Sequence, residues 1–263
     1  MPFHVVIPAR YASTRLPGKP LLDIGGRPMI QLVVEQAAAS GADEVLVATD
    51  DERIARVVRD PRQRSRGVAA LMTDPDLPSG TDRVAAVARE RGWDDATVVV
   101  NVQGDEPFVP PGLIDQAAGL LDRDRAAAIA TLATPIDSLQ AFLDPNVVKV
   151  VVADDGAALY FSRAPIPWSR DGATAGFASQ LRFDGALRHV GMYAYRVGAL
   201  KRITALAPSS LELCERLEQL RALQCGLRIV VGLCGVPPGP GIDTAHDLER
   251  ARAFAARVPG VQA

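Results

Sequence analysis

Aromatic residues are scarce in this chain, at 5% of 263 residues, and it holds only three cysteines and three histidines. Cys214, Cys225 and Cys234 are odd in number and lack C-x-x-C spacing, which argues against a disulfide framework and against a zinc site. No histidine pair has metal-ligand spacing. A charge excess is missing too: Lys plus Arg number 29 against 31 for Asp plus Glu. Nucleic acid needs a sustained basic face, so that class is excluded and any anion site must be local. No apolar run reaches the roughly 18 to 20 residues that span a bilayer. The first residues lead into a strand with no signal-peptide pattern. The expectation is a soluble cytoplasmic protein with reduced thiols. Familiar nucleotide templates are absent as well. There is no G-x-x-x-x-G-K-[ST], Lys19 being followed by Pro20, and no G-x-G-x-x-G or G-x-S-x-G.

What the chain has is apolar bulk, at 48% hydrophobic residues, enough for one large domain over residues 1–263. His4–Ile7 reads as a first strand, rich in β-branched residues. A helix over 29–40 with Gly41 as its stop follows, then a strand at Glu44–Thr49 and a helix opened by Asp50-Asp51-Glu52. Residues 59–66 read as an exposed basic connection. Val68–Met72 is a third strand, Thr81–Arg91 a helix, and Thr97–Val102 an apolar run suited to a strand buried on both faces. Alternating strands and helices of this length predict an α/β fold with a doubly wound, mostly parallel sheet. Beyond residue 125 the pattern changes. Strands at 127–133, 147–153 and 187–196, with a hairpin signal at Asp154-Asp155-Gly156, predict a mostly antiparallel insertion over 135–195 covering one side of the sheet. Residues 171–179 read as a mobile Gly/Ala-rich loop, Leu211–Leu223 as one helix with Leu213, Leu217 and Leu220 buried, 227–233 as a strand and 245–257 as a closing helix.

Chemistry concentrates at strand ends, where open α/β sheets bind ligands. The loop after the first strand, Pro8 to Pro20, is broken by prolines at 8, 17 and 20 and by Gly18, and it carries Arg10, Arg15 and Lys19 among hydroxyls. Such a loop suits a polyanion, most simply a triphosphate. Val102-Gln103-Gly104-Asp105-Glu106-Pro107 ends the buried strand at the same sheet edge, and a carboxylate there suits a divalent cation that neutralises phosphate. In Gly241-Ile242-Asp243-Thr244 two readings stand open. Asp243 or Thr244 is the N-cap of the last helix, with Asp247 in place of the usual Glu, or a metal ligand lies here. On strand 187–196, His189, Gly191 and Tyr193 share one face, which can line a sugar pocket, while a lone strand histidine is more often a satisfied core or surface residue.

These motifs resemble a known family. Ile7-Pro8-Ala9-Arg10 through Ser13-Thr14-Arg15-Leu16-Pro17-Gly18-Lys19-Pro20 resembles the signature of sugar-acid cytidylyltransferases. With Val47–Asp50, Ser79–Arg83, Asn101–Pro107, Val148–Val151, Tyr160–Ala164, Arg188-His189, Leu217–Arg221 and Gly241–Thr244, the likeness narrows to the 3-deoxy-manno-octulosonate (Kdo) cytidylyltransferases. The resemblance implies transfer of CMP from CTP to the anomeric hydroxyl of Kdo, with release of diphosphate, for lipopolysaccharide biosynthesis. It implies that Arg10, Arg15 and Lys19, with Ser13, bind the triphosphate, and that Asp105 and Asp243 bind Mg2+. It further implies that the base lies near Pro8, Ala9, Ser79 and Gly80, and that Gln103, Arg163, His189, Tyr193, Glu218 and Gln219 line the sugar-acid site. A homodimer through the inserted region is implied too. Leu77-Pro78-Ser79-Gly80-Thr81-Asp82 departs from the family's usual His-x-Ser-Gly-Thr-Glu. Alternatives are a cytidylyltransferase for another acidic sugar, such as an acylneuraminate or 8-amino Kdo, and a non-catalytic nucleotide-binding module.

Overall fold

Val5, Val6 and Ile7 are consecutive and all fully buried, as expected for a central strand with helices packed on both sides. They belong to β1 (His4–Ala9) of a computed structural model that describes residues 1–12, 16–60, 67–172, 179–235 and 238–257. Ser13 and Arg15, residues 61–66 and most of the 171–179 loop lie outside the described residues.

After β1, a short hairpin of β2 (Asp23–Ile24) and β3 (Arg27–Pro28) leads into α1 (Met29–Ala38). That helix stops three residues before Gly41, which does not take the left-handed conformation expected of a glycine stop. β4 (Glu44–Thr49), α2 (Glu52–Arg59), β5 (Val68–Met72), α3 (Gly80–Glu90), β6 (Val98–Asn101) and α4 (Pro111–Arg123) complete the wound half. Asp51 caps α2 by accepting from the Arg53 N–H, and Ser79 caps α3 by accepting from the Asp82 N–H. Then come β7 (Ile129–Pro135), α5 (Leu139–Leu143), β8 (Lys149–Val152), β9 (Ala158–Ser162), β10 (Leu187–Arg196) and α6 (Val197–Thr204). α7 (Ser210–Glu215), α8 (Gln219–Gln224), β11 (Ile229–Leu233) and α9 (Ala245–Ala255) close the chain.

The sheet order is β11-β7-β10-β6-β1-β4-β5. β1 pairs in parallel with β4 and β6, β4 with β5, and β11 with β7. β10 is antiparallel to both neighbours, β6 and β7. The doubly wound, mostly parallel sheet is therefore as expected. Residues 135–195 are antiparallel as expected, but they do not cover one side of the sheet. β10 lies within it, and the β8–β9 hairpin extends from β10. A strand whose Val190, Met192 and Ala194 are buried in one core while Tyr195 is buried in the other belongs inside a sheet, not over it. One core packs α1, α2 and α4 on the sheet; the other packs α3, α6 and α8 on the opposite face.

The expected single helix over 211–223 is two. Arg216 adopts a left-handed conformation (φ 55°) between α7 and α8. Glu215 is held on the end of β9, accepting from Ser162 Oγ at 2.6 Å and from the Arg163 N–H at 2.9 Å. The break turns Leu217 and Leu220 into the core and leaves Leu213 outside, 57% exposed.

Candidate active site

Glycine brings the strand ends together. A Cβ on Gly104 would lie 2.7 Å from the Pro8 carbonyl oxygen, and one on Gly80 would lie 3.2 Å from the Pro8 ring. Pro8 and Ala9 are thus held between the turn after β6 and the start of α3. Arg10 reaches across, its Nη2 donating to the Leu77 carbonyl at 2.6 Å, next to the Ser79 cap. Pro8, Ala9, Arg10, Ser79 and Gly80 form one neighbourhood.

Lys19 opens the one-turn helix Lys19–Leu21, entered through Gly18 at φ 68°. Its Nζ donates to Asp105 Oδ2 at 2.7 Å and to Asp243 Oδ1 at 3.0 Å. Residues 86 and 224 positions away in sequence meet on one ammonium. The link is built from backbone outward: the Ile242 N–H donates to the Asp105 carbonyl at 3.0 Å, and a Cβ on Gly241 would sit 2.7 Å from Glu106 Oε1. Glu106 is partly buried, and its desolvation, reinforced by the neighbouring charge of Asp105, pushes its carboxyl up to about 8. Sequence reading alone did not single out Glu106.

The structure separates the two roles left open near the last helix. Thr244 is the N-cap of α9, accepting from the Asp247 N–H, while Asp247 accepts from the Thr244 N–H at 2.9 Å to complete the capping box. The Asp243 side chain is directed to Lys19 instead. Among the described residues no group of three or more His, Cys, Asp or Glu forms a metal cage. Magnesium does not require one: it is commonly held by one or two carboxylates, substrate phosphates and water. Asp105 and Asp243 fit that pattern, because their oxygens already converge on a single cationic atom.

A cavity of about 200 Å³ is lined by Gln103, two residues before Asp105, with Gly80, Thr81, Asn101, Tyr193, Tyr195, Arg216, Leu217, Glu218 and Gln219 among others. It is below the usual drug-site range of roughly 300–1,000 Å³, so it suits a sugar and not a whole nucleoside triphosphate. The α7–α8 break delivers Glu218, whose Oε2 accepts from Thr81 Oγ1 at 2.7 Å. Burial raises the hydroxyl pKa of both Tyr193 and Tyr195, so both are neutral donors. Thr81, Asn101, Tyr195 and Arg216 were not anticipated as lining residues. Asn101 left a signal, as the polar end of an apolar run, and so did Tyr195, two residues beyond Tyr193 on the same strand face.

Two expected sugar-site residues, Arg163 and His189, do not line this cavity. Arg163 lines neither this cavity nor the neighbouring cleft of about 1220 Å³. Its guanidinium donates to the carbonyls of Glu215 (2.7 Å) and Pro145 (3.0 Å). His189 lies on the wall of the larger cleft, where Arg188, Glu106 and Asp243 are also found. Its Nε2 is 2.9 Å from Thr131 Oγ1, and its ring packs against Phe161 and Tyr193. Burial lowers its pKa to about 3, so the ring is neutral. The Thr131 hydroxyl also meets the β10 irregularity, its single O–H facing the carbonyls of Met192 (2.8 Å) and Val190 (3.1 Å).

A wound sheet with a cationic loop, paired carboxylates and a sugar-sized cavity at its carboxyl edge defines a nucleotidyltransferase architecture. Comparison with known proteins narrows this: the family model described as cytidylyltransferase matches residues 4–229. The 3-deoxy-manno-octulosonate cytidylyltransferase of Thioalkalivibrio sulfidiphilus is 53% identical over 250 residues, covering 95% of this chain and 97% of the relative. That of Xanthomonas campestris pv. campestris is 55% identical over 249 residues, covering 95% and 98%. A solved CMP:2-keto-3-deoxy-manno-octonic acid synthetase complexed with CTP superposes with a TM-score of 0.84 at 42% identity, covering 97% of this chain and 99% of that one. A cytidylyltransferase from Leptospira borgpetersenii shares the fold, with a TM-score of 0.63 at 15% identity. The chain belongs to the cytidylyltransferase family, and within it to the 3-deoxy-manno-octulosonate cytidylyltransferases.

Proposed function

We infer that the protein transfers CMP from CTP to Kdo, forming CMP-Kdo and diphosphate. The observation that carries the reading is the meeting of Lys19, Asp105 and Asp243 at one point, in a chain more than half identical to named enzymes of this activity. Nucleotidyl transfer asks little covalent chemistry of the protein; positioning and charge stabilisation suffice. Arg10 and Lys19 bind the triphosphate and offset charge on the departing diphosphate, with Arg15 and Ser13 expected on the same loop. Pro8, Ala9, Ser79 and Gly80 border the base.

Gln103, Tyr193, Glu218 and Gln219 hold the sugar acid so that its anomeric oxygen attacks the α-phosphorus as the bond to diphosphate breaks. His189, kept neutral, supports that wall from behind Tyr193, and Arg163 is assigned to the frame of the 215–219 turn. Asp105 and Asp243 would hold magnesium, which when bound neutralises phosphate oxygens. A role in lipopolysaccharide biosynthesis, a cytoplasmic location and a homodimer formed through residues 135–195 complete the reading. No described helix is long and apolar enough to cross a membrane.

Diphosphate release from CTP and magnesium, measured over a panel of sugar acids, is the test. Release is expected with Kdo above all others. Release only with an acylneuraminate or 8-amino Kdo overturns the substrate, and CTP binding without release from any acid leaves a binding module.

A further inference from the structure

The loop after β1 and the start of α3 approach the nucleotide side of the site from different parts of the chain. A buried ion pair joins them. Arg83, in the second turn of α3, is fully buried, and its guanidinium forks. Nη1 donates to Thr73 Oγ1 at 2.5 Å and Nη2 to Asp50 Oδ2 at 2.7 Å. Asp50, one residue past β4, turns its other oxygen to the backbone N–H of Tyr11 at 3.4 Å. Thr73, one residue past β5, donates from its hydroxyl to the Thr49 carbonyl at 3.2 Å. Four segments at the carboxyl edge thus meet on one pair: residues 10–11, 49–50, 73 and α3.

Arg10 spans the same gap from above, donating to Leu77 between Thr73 and the Ser79 cap. Burial lowers the proton affinity of Arg83, and the Arg10 charge acts in the same direction, with Asp50 opposing both. Buried ion pairs are weak sources of stability, since desolvation offsets their attraction; fixing an arrangement is their better-attested use. The arrangement here is the spacing between Arg10 and Ser79-Gly80.

We propose that Asp50 and Arg83 are positioning residues for the nucleotide: through Tyr11 and Thr73 they hold Arg10 and the start of α3 at the separation that grips CTP, without touching substrate. The proposal rests on CTP being the nucleotide. Wild-type diphosphate release with CTP and Kdo is therefore measured first, so that failure of that reading shows separately.

Asp50→Asn and Thr73→Val are then compared with wild type for CTP affinity by calorimetry without sugar acid, for KM toward each substrate, and for Tm. Asp50→Asn is expected to raise the Kd and KM for CTP about tenfold, equivalent to about 1.4 kcal/mol, and to leave the KM for Kdo within about twofold. Thr73→Val keeps the ion pair and removes one arm of the fork. It is expected to raise the CTP KM about threefold at near wild-type Tm, and it decides the matter if Asp50→Asn does not fold. Unchanged CTP affinity in the folded variants, with the loss confined to Tm, overturns the proposal. An equal rise in both KM values also overturns it.

Discussion

Replacing Lys19 with methionine keeps an unbranched apolar stem as far as the ε carbon and removes the ammonium on which Asp105 and Asp243 converge. At the observed 2.7 and 3.0 Å, each attraction is about 6 kcal/mol at an effective dielectric of about 20, before any desolvation is counted. Little of that reaches folding. The Asp243 side chain is 55% exposed and that of Asp105 34%, so screening and side-chain ordering leave about 1 kcal/mol or less per pair. For a chain of this size, that lowers Tm by about 2–4 °C per kcal/mol. Turnover should suffer far more, because the proposed mechanism puts the ammonium where charge gathers on the departing diphosphate. Losing one preorganised charge-stabilising group costs about 10²–10³ in kcat, or roughly 3–4 kcal/mol. Lys19→Met should therefore fall at least a hundredfold in diphosphate release at saturating CTP and Kdo, while unfolding only a few degrees earlier. A kcat within about tenfold of wild type, or a Tm loss beyond about 10 °C, would refute the reasoning and leave Lys19 as a structural counter-ion.

Asp105→Asn and Asp243→Asn are each expected to lower turnover at least about a hundredfold, roughly 2.7 kcal/mol in barrier. Thr244→Ala, which removes the α9 cap, should cost about 1 kcal/mol of stability by denaturant unfolding and spare the chemistry. The reverse pattern would return Asp243 to a capping role. His189 gives a pH signature. Unfolded, its ring takes a proton near 6.5; folded, only near 3. The unfolded state binds more protons in that window, so this contribution to stability is fully present above pH 6.5 and drains away as pH falls toward 3. From pH 7 to 5 it amounts to about 2 kcal/mol, and His189→Gln should remove that part of the pH dependence in urea unfolding. An unchanged dependence in the variant would contradict the buried, neutral ring.

Much of the wound half was legible in the sequence, because each strand there is an apolar run and each helix carries its own punctuation. β4 and β5 have the expected bounds, and Asp51 and Ser79 cap their helices through local hydrogen bonds. That Lys19 and Asp105 lie at one sheet edge was legible, since both follow strand ends in the sequence, and the structure brings the two side chains to 2.7 Å. Other features depend on tertiary contacts that periodicity does not encode. The α7–α8 break follows from Glu215 binding Ser162 and Arg163, two residues more than 50 positions away. Without that anchor, the leucine spacing reads as one helix. The anchoring of the Arg163 guanidinium on the Glu215 and Pro145 carbonyls was likewise not legible, because it depends on partners 52 and 18 residues away. The pairing of Asp50 with Arg83 is similarly silent in the sequence, because each residue has a plausible local role at a helix start or on a helix face.

The place of β10 has a consequence for how the chain assembles. β6 and β7 do not pair; β10 alone joins β5-β4-β1-β6 to β7-β11. A nascent chain that has emerged only as far as residue 186 carries β6 and β7 with bare edges facing a gap one strand wide. Both edges are apolar, with Val98, Val99 and Val100 on one and Ile129, Ala130 and Leu132 on the other, the kind of unpaired surface that invites association between chains. Closure also waits on pairings between residues about ninety apart, such as Tyr193 with Asn101, and contacts so distant in sequence slow folding. Protein synthesis must therefore carry this sheet, open at its centre, until one late strand fills it.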